Sequence, residues 1–516
     1  MKIVTAEQMR KIDRECTQLG KPVNVLMENA GKAVAEATRD YLGTLKKQHV
    51  LCLIGGGNNG GDCLVASLYL NGLGIKVGVY LCADRSVDDE YLKLVWESGI
   101  TCIEAKEDKN LKKLDNLLST ATCVIDALLG TGKMRPLEGL FKQVLEKVNS
   151  VKQTRKFSVI AVDLPSGMDS DTGAIDPACP YADLTVTLAF PKMGLYKFPA
   201  AERAGKIKIV DIGIPETLAD DINIELLTAE WAAKTLPLRP LNSNKGTFGR
   251  VLINAGSINY IGAAFLACSG AMRVGAGLVK LATAASLQSI IASRFAEVTY
   301  LPLPESKPGI ISVEGAEIIH KQCQQYNALL IGCGLGQNPA TVEFLSRLLL
   351  KKDLPPLVID ADGLNILTRL PEWWRQIPDG TIITPHPGEM ARLTGLTIDE
   401  VQSDRVGIAL TFAAKWQKTV VLKGAFTVIA LANGKCRVSP FANPGLASAG
   451  TGDVLAGTIA GLKAQGLESF DAASLGVYLH GAAGDKIRDE IGDTGMIASD
   501  LLPALPLVIK QLKNGS

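Results

Sequence analysis

The sequence predicts an α/β protein of two domains. Short apolar runs typical of buried strands alternate with helical patterns along the 516 residues, and this alternation restarts beyond a proline-containing stretch near residues 215–240. Alternating strands and helices indicate parallel sheets with crossover helices. The length also fits two or more domains at about 100–200 residues each. With 51 glycines and 47% hydrophobic residues, the composition is that of a folded globular protein with many tight turns.

The first domain is predicted over residues 1–215 as a three-layer unit. Helices are expected around residues 5–19 and 23–42, and a third helix from about residue 60, after a glycine-rich turn. Strands are expected at 49–54, 75–81, 122–126, 158–163 and 184–189.

The second domain is predicted over residues 236–516, after a connector at 216–235 that contains proline, has an acidic middle and is poor in strand-like runs. Its predicted strands and helices follow the same alternation. The strands are 250–255, 277–282, 328–332, 357–360, 381–384 and 419–423, and the helices are 262–273, one from near residue 452 and one from about residue 471.

Charge and cysteine usage favour a cytoplasmic protein that acts on small molecules. Lys+Arg total 54 and Asp+Glu 53, so the chain has no large positive charge that would favour the binding of nucleic acid. The N-terminus has no apolar signal core. The uncharged stretch 251–272 contains Asn254 and Asn259 and divides into a strand, a turn and a helix, so no membrane association is expected. The 11 cysteines include no CxxC pair and are expected to be reduced thiols. A homo-oligomer is expected.

Residues 55–62, GGGNNGGD, follow a predicted strand and open a helix. They satisfy G-x-G-x-x-G, and Asp84 ends the next strand, so a dehydrogenase is one interpretation. Asp62 is expected in the first turn of the helix, where its charge would oppose a nearby pyrophosphate. The two asparagines and the carboxylate suit ribose hydroxyls, an amide ring or a cation better. A structural alternative is a tight turn in which Asp62 only favours the helix dipole.

Two further loops follow strands of the first domain. Residues 126–133, DALLGTGK, are not a P-loop, because Ala127 stands at the first glycine position and Met134 replaces the Ser/Thr that would hold magnesium.

Residues 163–167, DLPSG, follow the next strand. Because the carboxyl ends of parallel strands line one crevice, Asn59, Asp126 and Ser166 are expected to converge there. All three offer the oxygen ligands that a hard cation prefers.

In the second domain, residues 443–455, NPGLASAGTGDVL, are the most informative stretch. The small residues 448–452 allow backbone N–H groups to point at one anion, and the following helix adds its positive N-terminus. Asp453 comes directly after them and suits the removal of a proton from a substrate hydroxyl. The structural alternative is a glycine-rich helix entry with Asp453 as a first-turn carboxylate.

Several other strand ends of this domain carry polar loops. His386 lies between two prolines in residues 384–389, TPHPGE, where it is a candidate substrate contact or a structural residue. Residues 423–427, KGAFT, are a candidate nucleotide loop, and residues 360–365 and 332–336 complete the set.

The first-domain loops, together with TAEQM at 5–9 and MENAG at 27–31, resemble the NAD(P)H-hydrate epimerase family over nearly all of the first 215 residues. The resemblance implies a Rossmann-like three-layer sandwich, Asp163 in the substrate site, and potassium held by Asn59, Asp126 and Ser166. It implies that the hydrated dinucleotide is bound by Asn58, Asn59, Gly60, Gly61, Asp62, Gly130, Thr131, Gly132, Lys133, Met134, Arg135, Pro136 and Asp163.

The G-T-G-D pattern of the second domain resembles the ribokinase-like superfamily, and its loops together resemble the ADP-dependent NAD(P)H-hydrate dehydratase family over about residues 236–510. The resemblance implies ADP as co-substrate, with magnesium. Two departures, Cys333 in place of a common proline and Ala255 at the start of a usual Gly-Gly-Ser turn, lie away from the expected chemistry. Substrate contacts are implied at Ala263, Gly336, His386 and Asp453, and nucleotide contacts at Lys423, Gly424, Ala425, Phe426, Thr427, Ser448, Ala449, Gly450, Thr451 and Gly452.

Together the resemblances imply a bifunctional repair enzyme for damaged NADH and NADPH, with the hydrates NADHX and NADPHX as substrates. The first domain would interconvert the R and S epimers at C6, using Asp163, and the second would dehydrate the S epimer with ADP, using Asp453 as base. Three alternatives remain open: a ribokinase-like small-molecule kinase fused to a non-catalytic ligand-binding domain, an ATP-dependent dehydratase, and a first domain that serves only as a scaffold.

Overall fold

The structure is a computed structural model that describes residues 1–44, 47–86, 88–131, 136–351 and 353–515. The chain divides into two compact units, Met1–Ile222 and Asn223–Ser516. Each unit is described by itself.

The first unit is a seven-stranded, wholly parallel sheet in the order β3-β2-β1-β4-β5-β6-β7. The strands are β1 His49–Ile54, β2 Lys76–Leu81, β3 Thr101–Glu104, β4 Cys123–Ala127, β5 Ser158–Val162, β6 Leu184–Leu188 and β7 Lys206–Val210. The helices are α1 Ala6–Gln18, α2 Val23–Leu42, α3 Asn58–Gly72, α4 Glu90–Glu97, α5 Lys112–Thr120, α6 Gly139–Thr154 and α7 Ala201–Ala204.

The three layers of this unit follow from side-chain alternation along its strands. In β1, Val50, Cys52 and Ile54 join an apolar cluster with residues of α1, α2 and α3. Leu51 and Leu53 join a separate cluster with residues of α5 and α6. Successive side chains of a strand point to opposite faces, so one apolar run fills both cores. The predicted three-layer α/β sandwich is confirmed.

The second unit has a ten-stranded sheet in the order β11-β10-β9-β14-β15-β16-β17-β18-β19-β8, and a separate hairpin, β12-β13. The strands are β8 Ile224–Leu226, β9 Arg250–Asn254, β10 Leu278–Ala284, β11 Thr299–Leu303, β12 Glu305–Lys307, β13 Ile310–Ile311, β14 Ala328–Ile331, β15 Leu357–Ile359, β16 Ile382–Ile383, β17 Thr419–Leu422, β18 Val428–Ala430 and β19 Cys436–Val438. The helices are α8 Ala229–Thr235, α9 Ile261–Arg273, α10 Gln288–Ala292, α11 Gly315–Cys323, α12 Pro339–Leu349, α13 Asp362–Leu367, α14 Pro387–Thr394, α15 Ile398–Ser403, α16 Arg405–Trp416, α17 Thr451–Ala464, α18 Ser469–Ile491 and α19 Leu501–Asn514.

Helices α9 and α17 approach each other closely in this unit. A Cβ on Gly457 would lie 1.9 Å from the Ala267 carbonyl oxygen, and one on Gly270 would lie 2.4 Å from the Val454 carbonyl oxygen. Only glycine permits two backbones to come this near. The close packing fixes α17, and therefore the loop at its N-terminus, against the rest of the unit.

The prediction of a strand-poor connector over residues 216–235 needs correction. Its second half contains β8, which pairs in parallel with β19 at an edge of the ten-stranded sheet, and helix α8. Arg437 on β19 lies over the rings of Trp231 and Phe470 and pairs with Glu225. Residues 223–235 are thus part of the second unit. The sequence did not predict this, because a strand of only three residues gives too little pattern to be recognised.

Within the described ranges, no helix is long and apolar enough to cross a membrane.

Candidate functional sites

The first unit has a cavity of about 450 Å³ at the carboxyl ends of β1 and β4. The strand order reverses between these two neighbours, which is where ligands bind in open parallel sheets. The cavity walls come from the loops that follow β1, β4, β5 and β6 and from α1 and α2. They include Met9, Asp13, Met27, Asn58, Asn59, Asp62, Gly130, Thr131, Asp163 and Lys192.

The placement of Asp62 differs from the sequence prediction. Helix α3 begins at Asn58 with Gly57 as its N-cap, two residues earlier than expected, so Asp62 is not in the first turn. Asp62 lies in the cavity wall and is only 7% exposed. Burial, and then the charge of Asp163, raise the pKa of the Asp62 carboxyl well above its usual range. The interpretation of Asp62 as a simple partner of the helix dipole is therefore wrong.

Asp163 is held in the same cavity by a network that the sequence did not reveal. Its carboxylate forms an ion pair with the ammonium group of Lys192, which is 1% exposed, and also accepts hydrogen bonds from the Leu188 N–H and the Thr187 hydroxyl at 3.2 and 3.3 Å. Asp163 has φ +65°, an uncommon conformation for a residue with a side chain, and such conformations concentrate at functional sites.

Asn59, Asp126 and Ser166 converge as the sequence predicted. The Ser166 hydroxyl and N–H donate to the Asp126 carboxylate at 2.6 and 2.7 Å. The Asn59 side-chain amide donates to the carbonyl oxygens of Leu129 and Val162 at 3.0 and 3.1 Å. Asp126 is fully buried, which raises its pKa, and among the described residues it has no ion pair. A buried carboxylate beside an amide and two carbonyl oxygens is a set of hard donors that suits a cation.

The other predicted substrate contacts of this unit divide into two groups. Asn58, Gly130 and Thr131 line the cavity, whereas Gly60 and Gly61 are packing positions. A Cβ on Gly60 would lie 2.2 Å from the Gly55 carbonyl oxygen, and one on Gly61 would lie 2.6 Å from the Met27 sulfur. Pro136 is exposed and does not line the cavity. Gly132, Lys133, Met134 and Arg135 lie outside the described residues. Asp84 is 84% exposed and pairs with Lys106.

In the second unit, Asp453 lies in the first turn of α17, directly after the small-residue turn. Gly450, the N-cap, has φ +88°, which glycine adopts without strain. The first N–H groups of a helix have no partner within the helix, so they remain available to an anion at this turn. Burial, and then the charge of Asp360, raise the pKa of Asp453 to about 7.

A buried cluster of charged groups surrounds Asp453. The Lys423 ammonium group donates to the Asp360 carboxylate at 2.6 Å and lies 3.7 Å from Glu389. Carboxylate oxygens of Asp360 and Asp453 and the Cys333 sulfur lie within 4.8 Å of one another, so the expectation that Cys333 lies away from the chemistry is wrong. Burial also raises the pKa of Glu389 to about 7. These groups follow β14, β15, β16 and β17, so the parallel strands bring them to one edge of the sheet.

The sequence left His386 as either a substrate contact or a structural residue, and the structure shows that it caps a helix. It is the N-cap of α14, where its Nδ1 atom accepts hydrogen bonds from the N–H groups of Gly388 and Glu389 at 3.0 and 3.3 Å. Its Nε2 atom lies 3.6 Å from the Glu389 carboxylate, and about half of the side chain is exposed. Burial and the nearby Lys423 lower the pKa of His386, which favours the neutral ring.

The remaining predicted residues of this unit lie around the same edge. Ala263 and Gly336 are half-buried near the loop after β14, and Gly334 there approaches Ala263 so closely that a Cβ would lie 2.6 Å from it. Gly424 and Ala425 are exposed, whereas Phe426 is buried. The hydroxyls of Ser448 and Thr451 donate to backbone carbonyls, so contacts of these two residues to an anion would come from their backbone, where the Thr451 N–H also donates to the Ser448 carbonyl at 3.4 Å.

Sequence reasoning missed three residues of these sites. Lys192 lies in a loop 29 residues beyond Asp163, and no motif in the sequence around it indicates a functional residue. Asp360 was noted only as part of a loop, without its bond to Lys423. His480 on α18 is buried and its Nε2 atom lies 2.9 Å from the Thr451 carbonyl oxygen, which helps to fix the turn before Asp453. A buried ionisable residue in an apolar helix is a signal that could have indicated His480.

Comparison with known proteins finds similarity over nearly the whole chain. A family model described as NAD(P)H-hydrate dehydratase matches residues 251–507, and one described as YjeF-related protein N-terminus matches residues 23–194. The bifunctional NAD(P)H-hydrate repair enzyme of Moorella thermoacetica is 40% identical over 99% of this chain and 97% of its own length. That of Escherichia coli is 31% identical over 98% and 93%. The solved ADP/ATP-dependent NAD(P)H-hydrate dehydratase from Bacillus subtilis, co-crystallised with ATP and magnesium, is 34% identical, covers 56% of this chain and 99% of its own, and has a TM-score of 0.49.

Proposed function

The chain belongs to the family of bifunctional NAD(P)H-hydrate repair enzymes, and we propose that each of its two units carries one of the family's two activities. The enzyme interconverts the R and S epimers of hydrated NADH and NADPH and dehydrates the S epimer to NADH or NADPH. We assign epimerisation to the first unit, Met1–Ile222, and dehydration to the second, Asn223–Ser516. The observation that carries this assignment is the family model described as NAD(P)H-hydrate dehydratase, which matches residues 251–507 of a chain that is similar to the bifunctional relative over its full length.

In the epimerase site, Asp163 is the proposed catalytic residue, acting at C6 of the substrate. The cavity of about 450 Å³ has room for the hydrated nicotinamide ring and part of its ribose. Inverting a carbon that bears a hydroxyl requires a bond at that carbon to break, and a carboxylate can move the proton or stabilise the cationic ring. The bonds from Lys192 and the Leu188 N–H hold the Asp163 carboxylate in one orientation, which such a role requires.

Potassium fits the cluster of Asn59, Asp126 and Ser166. The fully buried Asp126 carboxylate has no ion pair in the described part of the chain, and its charge needs compensation. A bound potassium ion would neutralise this charge and hold together the loops after β1, β4 and β5. These loops form one wall of the cavity, so the ion would support the substrate site rather than take part in the chemistry.

In the dehydratase site, Asp453 is the proposed general base. It removes the proton from the C6 hydroxyl of the S epimer while the terminal phosphoryl group of ADP moves to that oxygen and AMP leaves. The backbone N–H groups of Gly450–Gly452 stabilise the transferring group. Phosphate then leaves C6 as a proton leaves C5, which restores the ring double bond. A pKa of about 7 suits a base that works near neutral pH.

Magnesium fits the pair of carboxylates, Asp360 and Asp453, in this site. Oxygen atoms of Asp360 and Asp453 lie within 4.8 Å of each other, and carboxylate oxygens are donors that magnesium prefers. With Asp453 reserved as the base, Asp360 is the residue that would hold the ion, together with the nucleotide phosphates. The ion would supply charge neutralisation for the phosphoryl group. Lys423, which donates to Asp360, orients that carboxylate.

The proposal includes ADP rather than ATP as donor, a cytoplasmic location and a homo-oligomer. All eleven cysteines are free thiols, which favours a reducing compartment.

The test is to incubate the purified protein with each epimer of NADHX, with and without ADP or ATP, and to follow the recovery of NADH absorbance. The proposal expects recovery from the S epimer only when nucleotide is present, and recovery from the R epimer through prior epimerisation. Recovery from neither epimer with ADP or ATP would overturn it, and recovery with ATP alone would overturn the ADP assignment.

A further inference from the structure

Asp62 is a buried carboxyl group in the epimerase cavity that the proposed function has not used. It is only 7% exposed and forms part of the cavity wall. Within the ranges that the structure describes, its side chain has no hydrogen-bond or ion-pair partner. Buried carboxyl groups are normally hydrogen-bonded or paired, because an unpaired charge is costly to bury. An exception that faces a substrate cavity points to a role in the reaction.

Several charged groups face Asp62 from the elements packed around it. Asp13 comes from α1, Asp163 from the loop after β5 and Lys192 from the loop after β6. Arg85, after β2, is a further nearby cation. Its guanidinium is already bound by the Asp89 carboxylate at 2.7 Å and by the carbonyl oxygens of Gly55 and Gly57. Among the residues that the structure describes, three carboxyl groups therefore share one available ammonium group, that of Lys192, which pairs with Asp163.

Asp62 and Asp163 thus lie in one cavity but in opposite electrostatic surroundings. Asp163 has an ion pair and two further hydrogen bonds. Within the described part of the chain Asp62 has neither, and burial and the neighbouring carboxylates favour its protonated form. Two carboxyl groups in such different surroundings are the usual arrangement of an acid and base pair.

We propose that Asp62 is the general acid of epimerisation and acts together with the Asp163–Lys192 pair. This inference rests on the proposed epimerase function and names a second catalytic residue for it. The buried, unpartnered carboxyl group in the cavity wall is the observation that carries it.

The reaction balances as a loss and return of water at C6. The C6–O bond breaks, the lone pair of the ring nitrogen N1 forms the C6=N1 bond, and the proton of Asp62 goes to the departing oxygen, so that water leaves. The ionised Asp163 stabilises the cationic ring. A water molecule then adds to the other face of C6, the electron pair returns to N1, and Asp163 accepts the released proton. Transfer of that proton to Asp62 through cavity water restores the starting state.

The experiment compares Asp62→Asn with Asp62→Glu and with the control Asp88→Asn, whose side chain is 88% exposed and lies after β2. The full-length protein converts the pure R epimer of NADHX in H₂¹⁸O across a range of pH, with the spontaneous reaction subtracted. Epimer ratio and ¹⁸O at C6 are read by chromatography and mass spectrometry, and thermal unfolding is measured on each variant.

The wild-type and control enzymes are expected to incorporate solvent oxygen with inversion, at a rate that falls as pH rises and Asp62 loses its proton. Asp62→Asn should lose about 10²–10⁴-fold in rate, together with this pH dependence, and Asp62→Glu should recover part of both. Dehydration of the S epimer should be unchanged.

Three results would overturn the inference: a folded Asp62→Asn variant with at least half of the wild-type rate, a residual rate with the wild-type pH dependence, or inversion without ¹⁸O uptake. If Asp62→Asn fails to fold, the pH dependence of Asp62→Glu decides in its place, because a different acid must shift it. Absence of epimerisation in the wild-type enzyme would be a failure of the proposed function instead.

Discussion

Replacing Asp453 by Asn should abolish nucleotide-dependent dehydration and leave epimerisation intact. Asp453 is held beside Asp360 and follows the Gly450–Gly452 turn, so the amide keeps the shape of the side chain and removes only its basicity. Loss of a general base costs about 10²–10⁴-fold in rate. Burial and Asp360 place the pKa of Asp453 at about 7. A base acts when deprotonated, so the wild-type rate should rise about tenfold from about pH 6 to about pH 8, and the variant should lack this rise.

The assay follows NADH absorbance with the purified S epimer and saturating ADP, across that pH range. Asp399→Asn is a matched control, because Asp399 is an exposed first-turn carboxylate of α15 in the same unit. Thermal unfolding of both variants excludes a loss of fold. A folded Asp453→Asn enzyme that dehydrates at the wild-type rate, or that keeps the wild-type pH dependence, would refute the assignment of Asp453 as base.

Other perturbations test separate parts of the account. Gly450→Ala places a Cβ at φ +88° and 2.5 Å from a methyl carbon of Leu266. It should lower the free energy of unfolding by about 1–3 kcal/mol, measured by denaturant titration, and should lower the rate of dehydration, measured by NADH recovery. An unchanged unfolding midpoint and an unchanged rate would contradict this. Lys192→Met leaves the Asp163 carboxylate buried without its partner and should cost about 3–5 kcal/mol by the same titration, whereas a neutral effect would mean that the ion pair contributes little. Replacing potassium by a larger organic cation should slow epimerisation in the wild-type enzyme, and Asp126→Asn should remove that sensitivity; equal rates in both buffers would argue against an ion at Asp126. ADP should support dehydration and ATP should do so poorly at matched concentration, and equal turnover would remove the ADP assignment.

The sequence predicted the central strands of both units well, because buried parallel strands are continuous apolar runs. The sequence did not predict the strands β3 and β7 at the edges of the first sheet, nor β8, β11, β12, β13, β18 and β19 in the second unit. They are short and partly exposed or antiparallel, and their patterns resemble those of loops.

The polar residues of the sites were predictable where they follow a strand directly. Asp126 lies at the end of β4 and Asp163 directly follows β5, and parallel topology brings their loops together. Asp453 was predictable instead from the small-residue turn that precedes α17. Their partners could not be read in the same way. Lys192 reaches Asp163 through tertiary folding. The two-residue error in the start of α3, which misplaced Asp62 in the first turn, arose because the glycine-rich run hid the true start of the helix.

The most direct test of the account is a single measurement of NADH recovery from the R and S epimers by the Asp163→Ala and Asp453→Asn variants, each with ADP and beside thermal unfolding. We expect Asp163→Ala to recover NADH from the S epimer at the wild-type rate but from the R epimer only at the spontaneous rate of epimerisation. We expect Asp453→Asn to recover NADH from neither epimer while still interconverting them. A folded Asp163→Ala variant that uses both epimers equally well would contradict the assignment of epimerisation to the first unit.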